Sequence, residues 1–246
     1  MFDGQTIHWV HLTSTDSTNL WARRESFNLP KHALTVIYAD MQSLGKGQRN
    51  KTWASPPNTG IYASLFFHLP KEFAYPQNLG QTLALSAAKV LQKKGLAIEL
   101  KWPNDLFVNM RKVGGILTEV FPLADSLGSI LGLGINVNTP KEQLDSISQP
   151  ASSLLLESGE KRDILSLLHK IVEQFIRDFH ELDLEGFSSL AQEWQSFMLF
   201  LGQSIVFDDR EKTTIVTCLG IDAMGSLIVR TQEGLIEKKH SGSILA

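Results

Sequence analysis

Lys101, Asn104, Asp105 and Lys112 fall within twelve residues of one stretch, KWPNDLFVNMRKVGGILTEV, beside Trp102 and the pair Gly114 and Gly115. Pro103 fixes the chain after Trp102, and Asn104 and Asp105 can close an Asx turn that points two polar groups out of a sheet. Seven residues beyond Asp105, across a proposed hairpin corner, lies Lys112. The glycine pair that follows leaves a clearing for another backbone or a ligand. A lysine beside such a clearing stabilises negative charge developing at a phosphate or carboxylate. Each residue alone has a plainer reading, as a solvent-facing strand lysine or an ordinary turn. Their density within one short stretch favours chemistry.

A second group lies in the polar, turn-rich stretch MQSLGKGQRNKTWASPPNTG. Gly45 and Gly47 allow successive N–H groups to converge as an anion nest, with Lys46, Arg49 and Lys51 as charged donors and Trp53 as a flat wall. The spacing is not that of a Walker A loop, because no Gly-Lys-Ser/Thr opens a helix. On its own residues the stretch reads more readily as a solvated connection. Ser17, Thr18 and Asn19 stand at a helix start, where free N–H groups favour an acid or a ureido-type oxygen, or where they simply cap. In GLGINVN, Gly132 and Gly134 flatten a strand and Asn136 follows them, as a ligand or as a turn former.

The elements that must position these groups follow from periodicity. TIHWVHL, LTVIYA, IYASLFFHL, AIELK and SILGLGINVN read as strands, and the Asn109 and Met110 corner as a hairpin between two more. STDSTNLWARRE starts a helix with Asp16 or Ser17 as cap; Leu79, Leu83, Ala87, Val90 and Leu91 form another, stopped by Gly95. Residues 139–159 read as a loop. Ile164, Leu167, Leu168, Ile171, Phe175, Phe179 and Leu182 make a long amphipathic helix, and LEGFSSLAQEWQSF a shorter one. Beyond residue 200 four or five short strands suggest a small β-barrel. The expected architecture is α+β: a mixed central β-sheet with helices on one face over 1–199, and a β domain over 200–246.

With 246 residues, 43% hydrophobic and 20% charged, the chain can bury a sizeable core. A net charge of -3 argues against a dedicated nucleic-acid binder. The start lacks a signal peptide's basic head and apolar run, and no apolar run is long enough to cross a bilayer. Cys218 is the one cysteine and reads as a buried strand thiol between Val216 and Leu219. These features suggest a cytoplasmic setting.

The motifs DSTN, QSLGKG, WASP, KWPND, RKVGGILTE, GLGINVN and PASSL occur in the order and at spacings of a known family. The chain resembles the catalytic and C-terminal domains of the biotin protein ligases, the biotin–[acetyl-CoA-carboxylase] ligases. The resemblance spans nearly the whole chain, and its most specific part is KWPND followed by RKVGGIL. It implies a class II synthetase-like catalytic fold with a C-terminal SH3-like barrel. It further implies that biotin and MgATP form biotinyl-5′-AMP, and that biotin then passes to one lysine of a biotin carboxyl carrier domain.

Under that resemblance Ser17, Thr18 and Asn19 would lie along the biotin head with Gln42 nearby. Lys46, Gly47 and Gln48 would close over biotin and the adenylate, and Gly45, Arg49, Lys51 and Trp53 would belong to the nucleotide side. Lys112 would be the catalytic residue at the biotin carboxylate and α-phosphate, with Gly115 leaving room for biotin. Asn104, Asp105 and Asn136 would place ATP, and Asp105 its Mg2+.

The loop departs from the family's usual G-R-G-R-x-G-R, with Gln48 at a charged position and Asn50 at a glycine. Bifunctional members carry an N-terminal DNA-binding domain, for which residues before Ser17 leave no room, so no DNA partner is expected. A homodimer is left open, since some relatives pair through the catalytic sheet. A lipoate or octanoate enzyme of the same fold and a non-catalytic biotin sensor are the rival readings.

Overall fold

The structure, a computed structural model, describes residues 6–48, 51–145, 147 and 149–245. In chain order β1 is Ile7–Leu12, β2 Leu34–Ala39, β3 Gly60–Leu69, β4 Ile98–Lys101, β5 Asp105–Val108, β6 Arg111–Pro122 and β7 Leu127–Asn136. They form a seven-stranded sheet in the order β1-β2-β3-β7-β6-β5-β4. β1 runs parallel to β2, and the other neighbours are antiparallel. The hairpin corner between β5 and β6 is as expected: Asn109 and Met110 both have positive φ, 49° and 61°, which suits a two-residue turn matching strand twist.

The helices are α1 (Thr18–Glu25), α2 (Leu79–Gln92), α3 (Lys141–Leu144), α4 (Leu154–Ser158), α5 (Ile164–Glu185) and α6 (Phe187–Ser196). Every residue of β3 is buried, which requires cover on both faces. Leu65 and Phe67 point into the larger core, shared with Leu83 of α2 and with Phe175 and Phe179 of α5. Phe66 points the other way, against Ala22 of α1, Ile37 and Ile130. Helices thus lie on both faces, which corrects the one-sided packing expected. The period-two alternation along β3 gives each face its own apolar set, and burying Phe66 is worth about 1.5–3 kcal/mol to the smaller one.

The stretch 139–159, expected as a loop, contains the short helices α3 and α4. Ser153 caps α4 by accepting from the Leu156 N–H, and Gly159 closes it at φ 72°. Both are ordinary helix-end signals in a segment too short for periodicity to register.

A second, antiparallel sheet holds β8 (Ser204–Asp208), β9 (Thr213–Ile221), β10 (Leu227–Arg230), β11 (Ile236–Lys239) and β12 (Ser243–Leu245), in the order β11-β10-β9-β8-β12. The inward residues Phe207, Cys218, Leu227 and Val229 belong to the same apolar cluster as Leu83, so the two sheets share one core. Burial pushes the Cys218 thiol up, as suits an inert structural cysteine. The turn before β10 is gripped by the other sheet's elements. Trp102 Nε1 donates to Gly225 O at 3.0 Å, and Gln81 Nε2 donates to the same oxygen at 2.8 Å. Among the described residues no helix is long and apolar enough to cross a membrane.

Candidate active site

α1 is short and covers only part of its face of the sheet. Beside it a cleft of about 840 Å³ opens over β3, β7, β6 and the β4–β5 turn. Its inner end is polar and buried. Asp16 orients the start of α1 by accepting from the Ser17 N–H at 2.7 Å and from Arg24 at 2.6 Å. The Arg24 guanidinium holds the Asp16 carboxyl well below the usual carboxylate range. Ser17 occupies the helix cap position, yet its hydroxyl makes no capping bond. It is buried and lines the cleft.

Thr18 donates to Gln42 Oε1 from its backbone N–H at 2.8 Å and from its hydroxyl at 3.2 Å. Gln42 Nε2 donates onward to Ser55 Oγ at 2.8 Å. The Ser64 hydroxyl donates to Asn19 Oδ1 at 2.6 Å and lies 2.8 Å from Thr18 Oγ1. Asn19 Nδ2 completes the chain by donating to Glu119 Oε1 at 2.9 Å. Fixed donors and acceptors of this kind recognise a small polar ring by hydrogen bonds rather than by bulk.

The middle of the cleft is a charge pair. Lys112 Nζ lies 2.7 Å from Asp105 Oδ1, with the two side chains 15% and 22% exposed. Gly115, cross-strand from Asp105, makes the pair fit: a Cβ there would stand 2.9 Å from Asp105 Oδ1 and 3.3 Å from Lys112 Nζ. The Lys112 backbone is clamped on its other side, where its N–H donates to Pro150 O and its carbonyl accepts from the Ser152 N–H. The PASSL motif thus steadies the lysine. Trp53 stands 5.7 Å from Lys112 Nζ, ring centroid to nitrogen, and packs on Gly134, where a Cβ would approach the indole to 2.5 Å.

Toward the sheet edge Lys101 lines the same cleft. It sits cross-strand from Asp105 and 4.8 Å over the Phe107 ring. Burial pushes its ammonium below the ordinary lysine value, opposed by Asp105 and reinforced by Lys112 and Lys51. Among the described residues on the cleft wall there are four lysines, at 46, 51, 101 and 112, and one carboxylate, Asp105. Such a surplus of positive charge in a low-dielectric groove draws anionic ligands.

The glycine-rich loop differs from its expected form. Neither Gly45 nor Gly47 has positive φ, and the Gly47 N–H is engaged with Lys51 O at 2.7 Å. Trp53 N–H donates to Gly45 O at 2.8 Å. The anion nest is therefore not formed; a small hairpin has consumed its donor. Lys46 and Lys51 stay exposed above the cleft. Gln48 reaches across, donating from Nε2 to Asn104 Oδ1 at 3.1 Å. Arg49 and Asn50 lie outside the described residues.

Of the residues singled out in the sequence, Ser17, Thr18, Asn19, Gln42, Lys46, Gly47, Gln48, Lys51, Trp53, Asp105, Lys112, Gly115 and Asn136 line the cleft. Gly45 and Asn104 stand behind its wall. Gly45 packs against Trp53 O and Ser55 Oγ. Asn104 makes no local Asx turn; its amide donates across to Ile116 O at 2.5 Å, which ties the turn to β6. Asn136 Nδ2 likewise donates to Ser152 O at 3.0 Å. Sequence reasoning missed Ser64, Ser55 and Glu119, which look like ordinary strand and loop residues. It also missed β12, whose Ser243, Ile244 and Leu245 line the cleft and whose three residues carry no periodic signal.

No group of three or more His, Cys, Asp or Glu side chains that could cage a metal ion occurs among the described residues. Asp105 has one oxygen on Lys112 and a second available. A single carboxylate completed by nucleotide phosphates is a usual way to hold Mg2+, so the donor set fits a magnesium–nucleotide complex.

Residues 11–136 match the Biotin/lipoate A/B protein ligase family. The bifunctional ligase/repressor BirA of Bacillus spizizenii is 33% identical over 216 residues, covering 85% of this chain and 65% of that protein. This chain thus spans about 65% of the length of that relative. The biotin–[acetyl-CoA-carboxylase] ligase of Paracoccus denitrificans is 28% identical over 232 residues, covering 91% of this chain and 94% of that protein. The biotin protein ligase of Aquifex aeolicus, solved in complex with biotin and ATP, superposes with a TM-score of 0.82 at 28% identity over 98% of each chain.

Proposed function

Because the chain belongs to the Biotin/lipoate A/B protein ligase family, we propose that it is a biotin protein ligase, which joins biotin to AMP and then to a carrier-protein lysine. The observation that carries this reading is the hydrogen-bonding chain through Gln42, Thr18, Ser64, Asn19 and Glu119, buried at Thr18, Ser64 and Asn19. A ureido ring offers two N–H donors and a carbonyl to such a chain. A dithiolane or an alkyl chain offers neither, so it would make no hydrogen bonds at this polar end, where the Ser17 hydroxyl makes no capping bond of its own. Biotin is therefore favoured over lipoate or octanoate.

In this reading the biotin ring lies at the inner end against Ser17, Thr18, Asn19 and Gln42, and its valerate tail runs over Gly115 to Lys112. The carboxylate oxygen attacks the α-phosphorus of MgATP. The bond to the bridging oxygen breaks, and pyrophosphate leaves with the electron pair. Lys112 neutralises charge on the carboxylate and α-phosphate, which in a water-poor cleft supplies most of the stabilisation. Asp105, through the oxygen that Lys112 does not engage, would hold the magnesium of the nucleotide complex, which would supply further neutralisation of phosphate charge. Gln48 and Lys46 cover the adenylate from above, with Arg49 assigned to the same loop. Gly45, Asn104 and Asn136 hold the surrounding backbone in place.

In the second step the acceptor lysine of a biotin carboxyl carrier domain, as its neutral amine, attacks the biotinyl carbonyl and AMP leaves. A single buried cysteine suits the cytoplasmic setting of such a partner.

The test is ATP–pyrophosphate exchange with biotin, lipoate or octanoate, followed by transfer of labelled biotin to a carrier domain. Exchange and transfer with biotin are expected. Exchange with lipoate alone would replace the reading by a lipoate ligase, and none with any acid by a binding protein.

A further inference from the structure

The sheet order runs β3-β7-β6-β5-β4, and the cleft's chemistry follows that order. Ser64 on β3 and Gly132 on β7 border the polar inner end. Lys112 stands on β6 and Lys101 on β4. Two strand spacings, about 10 Å, separate the β6 and β4 backbones. Lys112 is neutralised by Asp105 at 2.7 Å. Lys101 forms no salt bridge among the described residues, although it is half-buried and lines the cleft. A half-buried ammonium that shares its nearby carboxylate, Asp105, with Lys112 gains when an anion joins it in the cleft.

Phosphoryl transfer places the attacking and leaving oxygens roughly in line. With the carboxylate arriving from the β3–β7 side and the α-phosphorus at Lys112, the leaving group extends toward β5 and β4. From this geometry we infer that Lys101 binds the leaving pyrophosphate, the β- and γ-phosphates of the nucleotide. Its ammonium donates a charge-assisted hydrogen bond to a phosphate oxygen as the negative charge grows there. No proton is transferred. Phe107 beneath the stem holds the side chain in the groove. The inference rests on the biotin-ligase reading for its order of events, but not for its anion.

The test titrates wild type, Lys101→Met and Lys101→Arg with magnesium pyrophosphate by calorimetry. Methionine keeps the apolar stem over Phe107, and thermal unfolding monitors the fold. Pyrophosphate is expected to bind roughly tenfold or more weakly to Lys101→Met, as loss of a charge-assisted contact implies. Lys101→Arg is expected to recover most of the affinity, while biotin affinity stays unchanged in both variants. In exchange assays Lys101→Met raises the KM for pyrophosphate, but transfer from preformed biotinyl-5′-AMP proceeds at the wild-type rate. Equal pyrophosphate affinity in wild type and Lys101→Met, or no binding to wild type, overturns the assignment. So does an equal loss in both half-reactions. A wild type that binds pyrophosphate through Lys101 but shows no biotin-dependent exchange would refute the ligase reading and leave the anion site standing.

Discussion

A Cβ on Gly132 would lie 2.4 Å from Asn19 Oδ1, so the strand glycine and the helix asparagine fit each other as backbone to side chain. That fit lets α1 bring its N-terminus down onto the sheet and aligns Asn19 with Ser64 and Glu119. Gly132→Ala is expected to push Asn19 out of the chain of hydrogen bonds. Biotin affinity should fall at least about tenfold, roughly 1.4 kcal/mol, with a smaller effect on thermal unfolding. Calorimetric titration with biotin checks this; an unchanged affinity would show that Asn19 need not hold its place.

Lys112→Ala is expected to lower biotin-dependent pyrophosphate exchange by about two to three orders of magnitude, in line with loss of a transition-state charge partner. The pair it makes with Asp105 is partly exposed, so stability should change by no more than about 1 kcal/mol. Exchange kinetics beside urea unfolding separate the two effects. Normal turnover would remove Lys112 from the chemistry.

Gln48 reaches Asn104 through one hydrogen bond of 3.1 Å, at a loop position where the resemblance implies a charge. Gln48→Ala should release biotinyl-5′-AMP roughly fivefold faster, the effect of about 1 kcal/mol. Gln48→Arg tests whether a charge holds the adenylate better than this latch does. A chase with unlabelled biotin gives the rates, and equal release in all three proteins would mean the loop is held by other groups.

Asp16 is kept ionised by Arg24, with help from the Ser17 N–H. Its folded pKa is depressed, so the stabilisation is complete above the unfolded value near 3.9. Below that pH it declines, until the folded group also takes up its proton. Asp16→Asn should therefore be less stable than wild type at pH 7, and the gap should narrow as pH drops below about 4. Urea midpoints across that range provide the comparison. A gap that is constant with pH would assign the effect to packing instead of charge.

Gly225 has φ of +78°, and a Cβ on it would come within 2.2 Å of Gln81 Oε1. Gly225→Ala combines backbone strain with a displaced grip on Trp102, and should cost about 1–3 kcal/mol. Because Trp102 begins the turn that carries Asp105, exchange activity should fall as well, at temperatures where the variant is still folded. Loss of stability with full activity would mean that this contact only holds the two sheets together.

Much of the chain was open to sequence reading. The long helix from Ile164 and the largely apolar β3 declared themselves by period and composition, as did the β5–β6 corner by its turn residues. The candidate site was readable as far as its chemistry is local: KWPND and Lys112 stand within twelve residues of one another. Ser64, Ser55 and Glu119 were invisible, because a serine in an apolar strand has no local signature of the helix it will meet. The loop was misread for a related reason. Gly47 could have offered its N–H to an anion, but cross-loop pairing with Lys51 took it first.

The sequence by itself therefore determined most of the longer elements, their order and the residue types at the candidate site, since these depend on period, turn chemistry and neighbours along the chain. The tertiary structure alone decided that α1 covers the opposite face from α2 and α5. It alone brings Asn19 onto Gly132, Gln48 onto Asn104 and β12 to the cleft wall. Those relationships join residues from 56 to over 100 positions apart. They are set by which surfaces exclude water together, a property that no window of the sequence contains.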